Sequence, residues 1–217
     1  MKKEDFYKNH DPLLLNALQN ATVAIAGAGG LGSNCAVALA RSGVGKLIIC
    51  DFDRIIASNL NRQYYFADQI GLHKVEALKQ TLNRINPFCE YEIHNVKLDD
   101  LLIQEIFEDA DLIVEAFDAA DQKQMLIETW AECFADIPII IASGIGGFGN
   151  NETLKQKKSG KMFLIGDEVS DVTKGYLPLA PRVSVVANMQ ANLAIELLFD
   201  KFYKNNIKGR NRYVFAQ

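Results

Sequence analysis

Cysteine is scarce in this sequence and never occurs in close pairs. The 217 residues include 4 cysteines, Cys35, Cys50, Cys89 and Cys133, and no two of them form a Cys-x-x-Cys spacing. Structural zinc sites of the four-cysteine kind need such pairs, so we expect no zinc. We interpret the thiols as buried and reduced. Cys133 lies on a helical pattern, and for this residue the sequence leaves a more exposed position open.

The sequence also lacks a long apolar run and an excess of basic residues. No run approaches the roughly 20 apolar residues that span a bilayer, and Met1–Asn9 is too polar for a secretory signal. We therefore expect a cytoplasmic protein without a membrane partner. The formal net charge of -4 makes nucleic acid an unlikely main partner, since phosphate binding favours basic surfaces.

Short apolar runs alternate with helical patterns through most of the chain. This alternation predicts an α/β fold, Rossmann-like, with a mostly parallel sheet and helices on both faces. The predicted strands are Thr22–Ala26, Lys46–Asp51, Tyr91–Val96, Asp111–Ala116 and Ile137–Ala142. The predicted helices are Asp11–Ala21, Leu31–Arg41, His73–Arg84, Leu98–Glu108, Asp121–Phe134 and Val183–Phe199.

The pattern weakens after Ser143. Gly144–Gly149 is rich in glycine, and Tyr213–Phe215 could add an edge strand as a small C-terminal extension of the sheet. A cluster of lysines favours a loop: Lys155, Lys157, Lys158 and Lys161. The last helical pattern carries an apolar stripe that suits either the core or a dimer interface: Val183, Val186, Met189, Leu193 and Leu197.

A glycine-rich turn joins the first predicted strand to the next helix. It contains the G-x-G-x-x-G pattern at Gly27, Gly29 and Gly32. Such a turn lets a phosphate approach backbone N–H groups at a helix N-terminus. Asp51 follows at the end of the second strand, where a carboxylate can accept both ribose hydroxyls. The pair indicates a nucleotide site without distinguishing ATP from NAD, and a turn without a ligand is the other interpretation.

Three further positions could complete a phosphate site. Arg62 has a planar fork that suits phosphate oxygens, although its segment could also be a solvated loop. Lys74 begins a helix, where a phosphate would offset its unfavourable charge; the alternative is a solvated side chain. Asp118 follows a strand and could hold Mg²⁺ or cap the next helix.

These segments have the order and spacing found in the ThiF/MoeB/HesA family, which includes the ubiquitin-activating enzymes. The resemblance runs from about Asn20 to Ile145 and resumes weakly from Gly175 to Leu198. It identifies the chain as similar to a short ThiF-like branch. The segments that carry it are Gly27–Ser33, Asp51–Asp53, Ser58–Gln63, Gly71–Lys74, Arg84–Pro87 and Asp118.

The resemblance implies an adenylyltransferase. ATP would adenylate the C-terminal carboxylate of a small ubiquitin-like sulfur-carrier protein (ThiS-like) in thiamine biosynthesis, and the enzyme would be a homodimer. It implies a single adenylyltransferase domain over 1–217, with a helical segment over 1–20. The nucleotide-binding unit would cover 21–145, and a crossover loop with the last helix and strand would cover 146–217.

The same resemblance assigns the site. Arg62, Lys74 and Asp118 would be catalytic, with Asp118 binding Mg²⁺ and Asp51 holding the ribose. Asn59 and Gln63 would help to shape the phosphate site. The implied ATP-binding residues are Gly27, Gly29, Gly30, Leu31, Gly32, Asp51, Asp53, Asn59, Arg62, Gln63 and Lys74.

Two departures from the family pattern affect these expectations. No cysteine follows Cys133, which puts a thioester or persulfide step at the crossover loop in doubt. The first arginine is Arg41, so the N-terminal arginine by which many members reach the partner subunit's ATP is missing. Each site would then be completed within its own chain, by Arg182 or by the lysines from Lys155 to Lys161.

Three other functions remain open at this point. An NAD-dependent oxidoreductase would explain the glycine turn and Asp51 but not Arg62, Lys74 or Asp118. A nucleotide-binding scaffold without catalysis would also fit. Within the family, the adenylated substrate could instead be a modified tRNA base.

Overall fold

A computed structural model describes residues 1–170 and 175–203. The strands of this part of the chain are β1 (Thr22–Ala26), β2 (Lys46–Cys50), β3 (Glu90–His94), β4 (Leu112–Glu115), β5 (Ile139–Ala142), β6 (Lys155–Ser159) and β7 (Met162–Gly166). The helices are α1 (Lys3–Tyr7), α2 (Pro12–Gln19), α3 (Gly30–Ser42), α4 (Lys74–Ile85), α5 (Asp100–Ile106), α6 (Ala120–Cys133) and α7 (Ala180–Tyr203). Short 3₁₀ turns occupy Ala57–Asn61, Ala67–Gln69 and Asn151–Thr153.

The strands form one sheet in the order β3-β2-β1-β4-β5-β7-β6. Every neighbouring pair is parallel except β6 and β7, which are antiparallel. The chain moves outward from β1 to β3 and then returns to the other side of β1 with β4. The order therefore reverses between β1 and β4, and open sheets of this kind bind ligands outside the carboxyl ends of the strands at such a point. The predicted Rossmann-like α/β class is confirmed.

Helices cover both faces of the sheet because successive strand side chains point to opposite sides. In β1, Val23 and Ile25 pack into a core with α3, α4 and α7. Ala24 and Ala26 of the same strand pack into a second core with α5 and α6. Both faces of the parallel strands are thus buried, which is why these strands are apolar runs rather than alternating ones.

The structure confirms each predicted strand and helix up to β5, and the long C-terminal helix, with shifted ends. The lysine cluster is the exception, because it is not a loop. β6 carries three of its lysines and forms a hairpin with β7 through Gly160, whose φ is 58°. Every residue of β6 is exposed. β6 pairs with another strand on one side only, and charged side chains are common on such edge strands. Tyr213–Phe215 lies outside the described residues.

The apolar stripe of α7 belongs to the core. Val183, Val186 and Leu193 are buried, and Met189 and Leu197 are partly buried against the same cluster. The stripe therefore gives no support to a dimer interface. No helix in residues 1–170 and 175–203 is long and apolar enough to cross a membrane.

The cysteine interpretation also agrees with the structure. All four thiols are free; Cys133 is exposed and the other three are buried. Burial raises the pKa of the Cys35 thiol to about 12, so this group stays protonated and unreactive near neutral pH.

The glycine turn between β1 and α3 is packed very closely at the point where the strand order reverses. Gly27 has a φ of 103°, and a Cβ there would lie 2.7 Å from the Ala116 carbonyl oxygen. A Cβ on Gly32 would lie 1.9 Å from the Gly27 carbonyl oxygen. The helix can pack this closely on the turn only because neither residue has a side chain.

We expect Gly32→Ala to lower the free energy of unfolding by about 1–3 kcal/mol or more, because the added methyl group must push α3 away from the turn. Gly29→Ala is the matched control, since its Cβ would lie 3.9 Å from the nearest side chain. Urea denaturation of both variants measures the difference. Equal stability of the two variants would show that this joint is looser than the structure indicates.

Candidate functional site

A cleft of about 840 Å³ lies outside the carboxyl ends of the parallel strands. Most of the residues predicted for the nucleotide site line this cleft. Two predicted residues, Gly32 and Asn59, do not line it. The predicted residues that do are Gly27, Gly29, Gly30, Leu31, Asp51, Asp53, Arg62, Gln63, Lys74 and Asp118.

The glycine turn presents backbone donors to this cleft. α3 begins at Gly30, and its N-cap residue Gly29 has no side chain to occupy the first N–H groups. The first N–H groups of a helix have no partner within the helix, and the helix dipole is positive there. The turn is itself anchored by a hydrogen bond from the Gly27 N–H to the Cys50 carbonyl, at 2.8 Å. This arrangement suits an anion such as a phosphate.

Asp51 lies directly after β2 and is directed at the glycine turn. Its Oδ2 accepts a hydrogen bond from the Ala28 N–H at 2.7 Å, and its Oδ1 accepts one from the Asp53 N–H at 2.8 Å. Burial raises the pKa of Asp51, although Lys74 and the two backbone N–H groups oppose that shift. A carboxylate has about four acceptor sites, so Asp51 can accept further hydrogen bonds from a ligand.

Lys74 is the first residue of α4 and is buried. Its Nζ lies 2.6 Å from Asp53 Oδ2 and 3.8 Å from Asp51 Oδ2. These carboxylates offset the unfavourable position of a cation at a helix start, so the alternative of a solvated side chain is wrong. A bound phosphate is not needed to explain Lys74 here; its place in the cleft is what makes it a candidate phosphate ligand.

The segment around Arg62 forms one wall of the cleft. Arg62 donates from Nη1 to Asn61 Oδ1 at 2.8 Å, and its alkyl chain passes Gly30. Asn59 is buried and accepts a hydrogen bond from the Ile56 N–H at 3.1 Å. Asn59 therefore holds the turn that presents Arg62. Gln63 is 8% exposed, and its Oε1 has no hydrogen-bond partner among the described residues.

Asp118 lies in the loop between β4 and α6. The N-cap of α6 is Ala119, and no side chain caps the helix. The capping alternative for Asp118 is therefore wrong. Asp118 is exposed at the cleft surface. No group of three or more potential metal ligands of the Asp, Glu, His or Cys type exists in the described part of the chain, so Mg²⁺ here would need oxygens from a ligand or water.

Two cleft-lining lysines escaped the sequence prediction. Lys97 follows β3, and Lys123 lies on α6. Lys123 pairs with the fully buried Glu115 of β4 and donates to the Ala142 carbonyl at 2.8 Å. Burial holds the pKa of Glu115 above its ordinary value, with Lys123 opposing the shift. The signal that could have found this pair was a carboxylate at the end of an apolar strand.

The predicted replacements for the missing N-terminal arginine do not reach the cleft. Arg182 is buried and donates to Asp167 Oδ2 at 2.7 Å and to the Gly149 carbonyl at 2.6 Å. Neither Arg182 nor the lysines of the β6–β7 hairpin line the cleft. Its described cationic residues are Arg62, Lys74, Lys97 and Lys123.

One segment of the chain is similar to curated proteins called ubiquitin-like modifier-activating enzyme 5. Identity is 44% over 81 residues with the Caenorhabditis briggsae protein, covering 37% of this chain and 19% of that protein. It is 43% over 84 residues with the Xenopus laevis protein, covering 39% of this chain and 21% of that protein. The chain thus matches about a fifth of the length of these relatives.

The whole fold is similar to solved structures at low sequence identity. The Escherichia coli tRNA N6-threonylcarbamoyladenosine dehydratase in complex with ATP has a TM-score of 0.82 and 20% identity, covering 92% of this chain and 94% of that one. E. coli MccB with ATP has a TM-score of 0.69 and 23% identity, covering 87% of this chain and 58% of that one. At these identities the likeness concerns the fold.

The family model of ThiF covers almost all of the chain, from residue 6 to residue 217. The match includes the glycine turn, the Arg62 segment and the loop of Asp118, which the fold brings together around one cleft. The resemblance inferred from the motifs is confirmed, and the chain belongs to the ThiF family.

Proposed function

We propose that this chain binds ATP in the cleft and adenylates the C-terminal carboxylate of a small ubiquitin-like protein. The observation that carries the proposal is the meeting of helix N–H donors, Asp51, Arg62 and Lys74 at one edge of the sheet. ThiF-family membership and the similarity to ubiquitin-like modifier-activating enzymes support it.

The proposed reaction joins a carboxylate to the α-phosphate of ATP. A carboxylate oxygen attacks the α-phosphorus, and the bond from that phosphorus to the β-phosphate bridging oxygen breaks. The products are an acyl-adenylate and pyrophosphate. A C-terminal carboxyl group has a pKa of about 3.3–3.7, so it is ionised at neutral pH and needs no general base.

The barrier comes from bringing one anion to another. The donors at the start of α3 and the cations Arg62 and Lys74 offset this repulsion and stabilise charge on the leaving pyrophosphate. An ammonium has three protons, so Lys74 can keep its contact with Asp53 and still donate to phosphate oxygens. Arg62 keeps donors free beside its contact with Asn61.

We propose Asp118 as the protein ligand of Mg²⁺. Its carboxylate is exposed at the cleft and makes no hydrogen bond or ion pair with the described residues, so it is available to a cation. Mg²⁺ typically takes one or two protein carboxylates together with substrate phosphates and water. When bound, the ion would neutralise phosphate charge.

We also propose finer features that follow from the resemblance. The substrate would be a ThiS-like sulfur carrier of thiamine biosynthesis, and the protein would act in the cytoplasm as a homodimer. The free thiols are compatible with a reducing compartment. A domain over 1–217, divided as the motifs suggest, is part of the same proposal.

A modified tRNA base is the second candidate substrate. The full-length likeness to a tRNA N6-threonylcarbamoyladenosine dehydratase favours it, whereas the net charge of -4 opposes it. An NAD-dependent oxidoreductase is less well supported, because it leaves the cleft cations without a role. The gathering of Arg62, Lys74 and Asp118 around one cleft also argues against a scaffold without catalysis.

We expect ATP–pyrophosphate exchange that depends on an added ubiquitin-like protein and on its free C-terminal carboxylate. ATP with Mg²⁺ should raise the melting temperature by mass action, and NAD should not. A panel of ubiquitin-like proteins, each compared with its C-terminally amidated form and with bulk tRNA, tests this. Exchange driven by tRNA alone would select the second candidate, and stabilisation by NAD alone would refute ATP binding.

Arg62→Ala should lower the exchange rate by about 10²–10³-fold, because it removes one preorganised donor from an anionic transition state. Its effect on stability should be small, since Arg62 is only partly buried. Arg41→Ala, an exposed arginine at the far end of α3, is the matched control. Near-normal exchange by Arg62→Ala would remove Arg62 from the catalytic set.

Asp118→Asn should weaken the Mg²⁺ dependence of exchange, because an amide oxygen carries no net charge for the cation. The melting temperature should not change, since Asp118 does not cap α6. Titration of exchange against Mg²⁺ measures the shift, with Asp121→Asn on the same cleft edge as the control. An unchanged Mg²⁺ midpoint would show that another group binds the ion.

A further inference from the structure

Arg182 is the centre of a buried network at the start of α7. It is 4% exposed. Its Nη1 donates to the Gly149 carbonyl at 2.6 Å, and its Nη2 donates to Asp167 Oδ2 at 2.7 Å and to Thr153 Oγ1 at 3.3 Å. One guanidinium therefore joins α7 to the loop after β5 and to the loop after β7.

Asp167 extends the network to the surface of the cleft. Its Oδ1 accepts hydrogen bonds from the N–H groups of Val169 and Ser170, both at 2.8 Å. The same oxygen approaches Gly144 so closely that a Cβ there would lie 2.0 Å away. Partial burial alone would raise the pKa of Asp167, but its hydrogen bonds with Ser170, Val169 and Arg182 hold it below its ordinary value.

The loops held in this way form one side of the cleft. Gly144, Gly146 and Ser170 line it there, whereas Val183 and Pro178 line the cleft beside Gly30 and Asn61. None of the described lining residues that follow β5 or β7 carries a charge. The opposite side of the cleft is formed by the glycine turn after β1 and by Asp51 after β2, and it therefore includes a carboxylate.

The sheet order separates the two sides by a predictable distance. From β2 to β7 there are four strand spacings, in the order β2-β1-β4-β5-β7. At roughly 4.8 Å for each spacing, the two ends of the cleft lie about 19 Å apart. A nucleotide held by the glycine turn and Asp51 leaves the β5–β7 side for the other reactant.

We propose that Arg182 is a positioning residue for the acyl substrate: through Asp167, Gly149 and Thr153 it holds the wall formed by Gly144, Gly146 and Ser170, along which the C-terminal segment of the ubiquitin-like protein lies. This inference rests on the proposed function. Arg182 touches neither reactant, because its guanidinium is turned to Asp167 and away from the cleft. Its loss should change binding of the acyl substrate and leave ATP binding nearly unchanged.

Arginine suits this role because its planar fork serves several acceptors at once, which an ammonium on a flexible chain does not reproduce. Arg182→Lys keeps the charge opposite Asp167 while losing the simultaneous contacts with Gly149 and Thr153. It should therefore loosen the wall. It avoids leaving the Asp167 carboxylate unpaired, and an unpaired buried charge would destabilise the protein strongly. Thr153→Ala removes the 3.3 Å contact with Arg182 and the local hydrogen bond from Thr153 Oγ1 to the Asn150 carbonyl at 2.8 Å. It leaves the pairing of Arg182 with Asp167 intact and serves as a milder second variant.

The test compares Arg182→Lys with Arg41→Lys, an exposed arginine of α3. We expect faster hydrogen exchange of the amides from Gly144 to Thr153, such as Gly147, whose N–H donates to the Leu177 carbonyl at 3.0 Å. The KM for the ubiquitin-like protein that supports the strongest exchange should rise by at least about tenfold. The Kd for ATP should change by less than about twofold, and Thr153→Ala should shift the same readouts less.

Unchanged amide exchange in Arg182→Lys and Thr153→Ala would overturn the positioning role. So would an equal loss of affinity for ATP and for the ubiquitin-like protein, which would indicate a general structural role. If the unaltered protein gives no exchange with any ubiquitin-like protein, the proposed function fails and the inference fails with it. If the unaltered protein is active and Arg182→Lys keeps its KM, only the inference fails.

Discussion

The hydrogen bond from the Ala28 N–H to the Asp51 carboxylate, at 2.7 Å, is the contact on which the site depends. It ties the end of β2 to the glycine turn after β1. Asp51 can reach the turn because Gly27 and Gly32 bring β1 and α3 together without side chains between them. The Oδ2 atom of Asp51 also lies 3.8 Å from the Nζ atom of Lys74. The phosphate-binding end of the proposed site is thus assembled by one carboxylate and two glycines.

Oppositely charged groups tie a helix to the end of a strand at three points along the same edge. Lys74 pairs with Asp53 after β2, Lys123 with Glu115 at the end of β4, and Arg182 with Asp167 after β7. Breaking a buried pair leaves an uncompensated charge, which is far more costly than the pair's net contribution to stability. The pairs therefore specify where the loops lie. Lys74 and Lys123 also line the cleft, whereas Arg182 does not.

In the proposed function, the two sides of the cleft bind different reactants. In the proposed function, the nucleotide is recognised by the loops after β1 and β2 and by the segment around Arg62, where donors and charges are concentrated. In the same proposal, the other reactant lies along the loops after β5 and β7, whose described cleft-lining residues carry no charge. In such an arrangement, loop changes on one side can alter the acyl substrate while the nucleotide site stays intact, as expected where function lives in loops on a rigid scaffold.

The sequence by itself determined the α/β class, the order of the elements up to β5 and a set of candidate site residues, most of which line the cleft. Strand and helix periodicities are local, and parallel strands place their carboxyl ends at one edge, so Asp51, Arg62, Lys74 and Asp118 could be expected to meet there. Only the tertiary structure decided how the remaining side chains are used. The exposed lysines of β6 did not predict a strand from the sequence. β6 is held in the sheet by its pairing with β7, which in turn pairs with β5. Arg182 was one of two candidates from the sequence to complete the ATP site, but Asp167 and the Gly149 carbonyl hold it outside the cleft. Ion-pair partners far apart in sequence depend on the packing of loops and helices, and no local pattern records that packing.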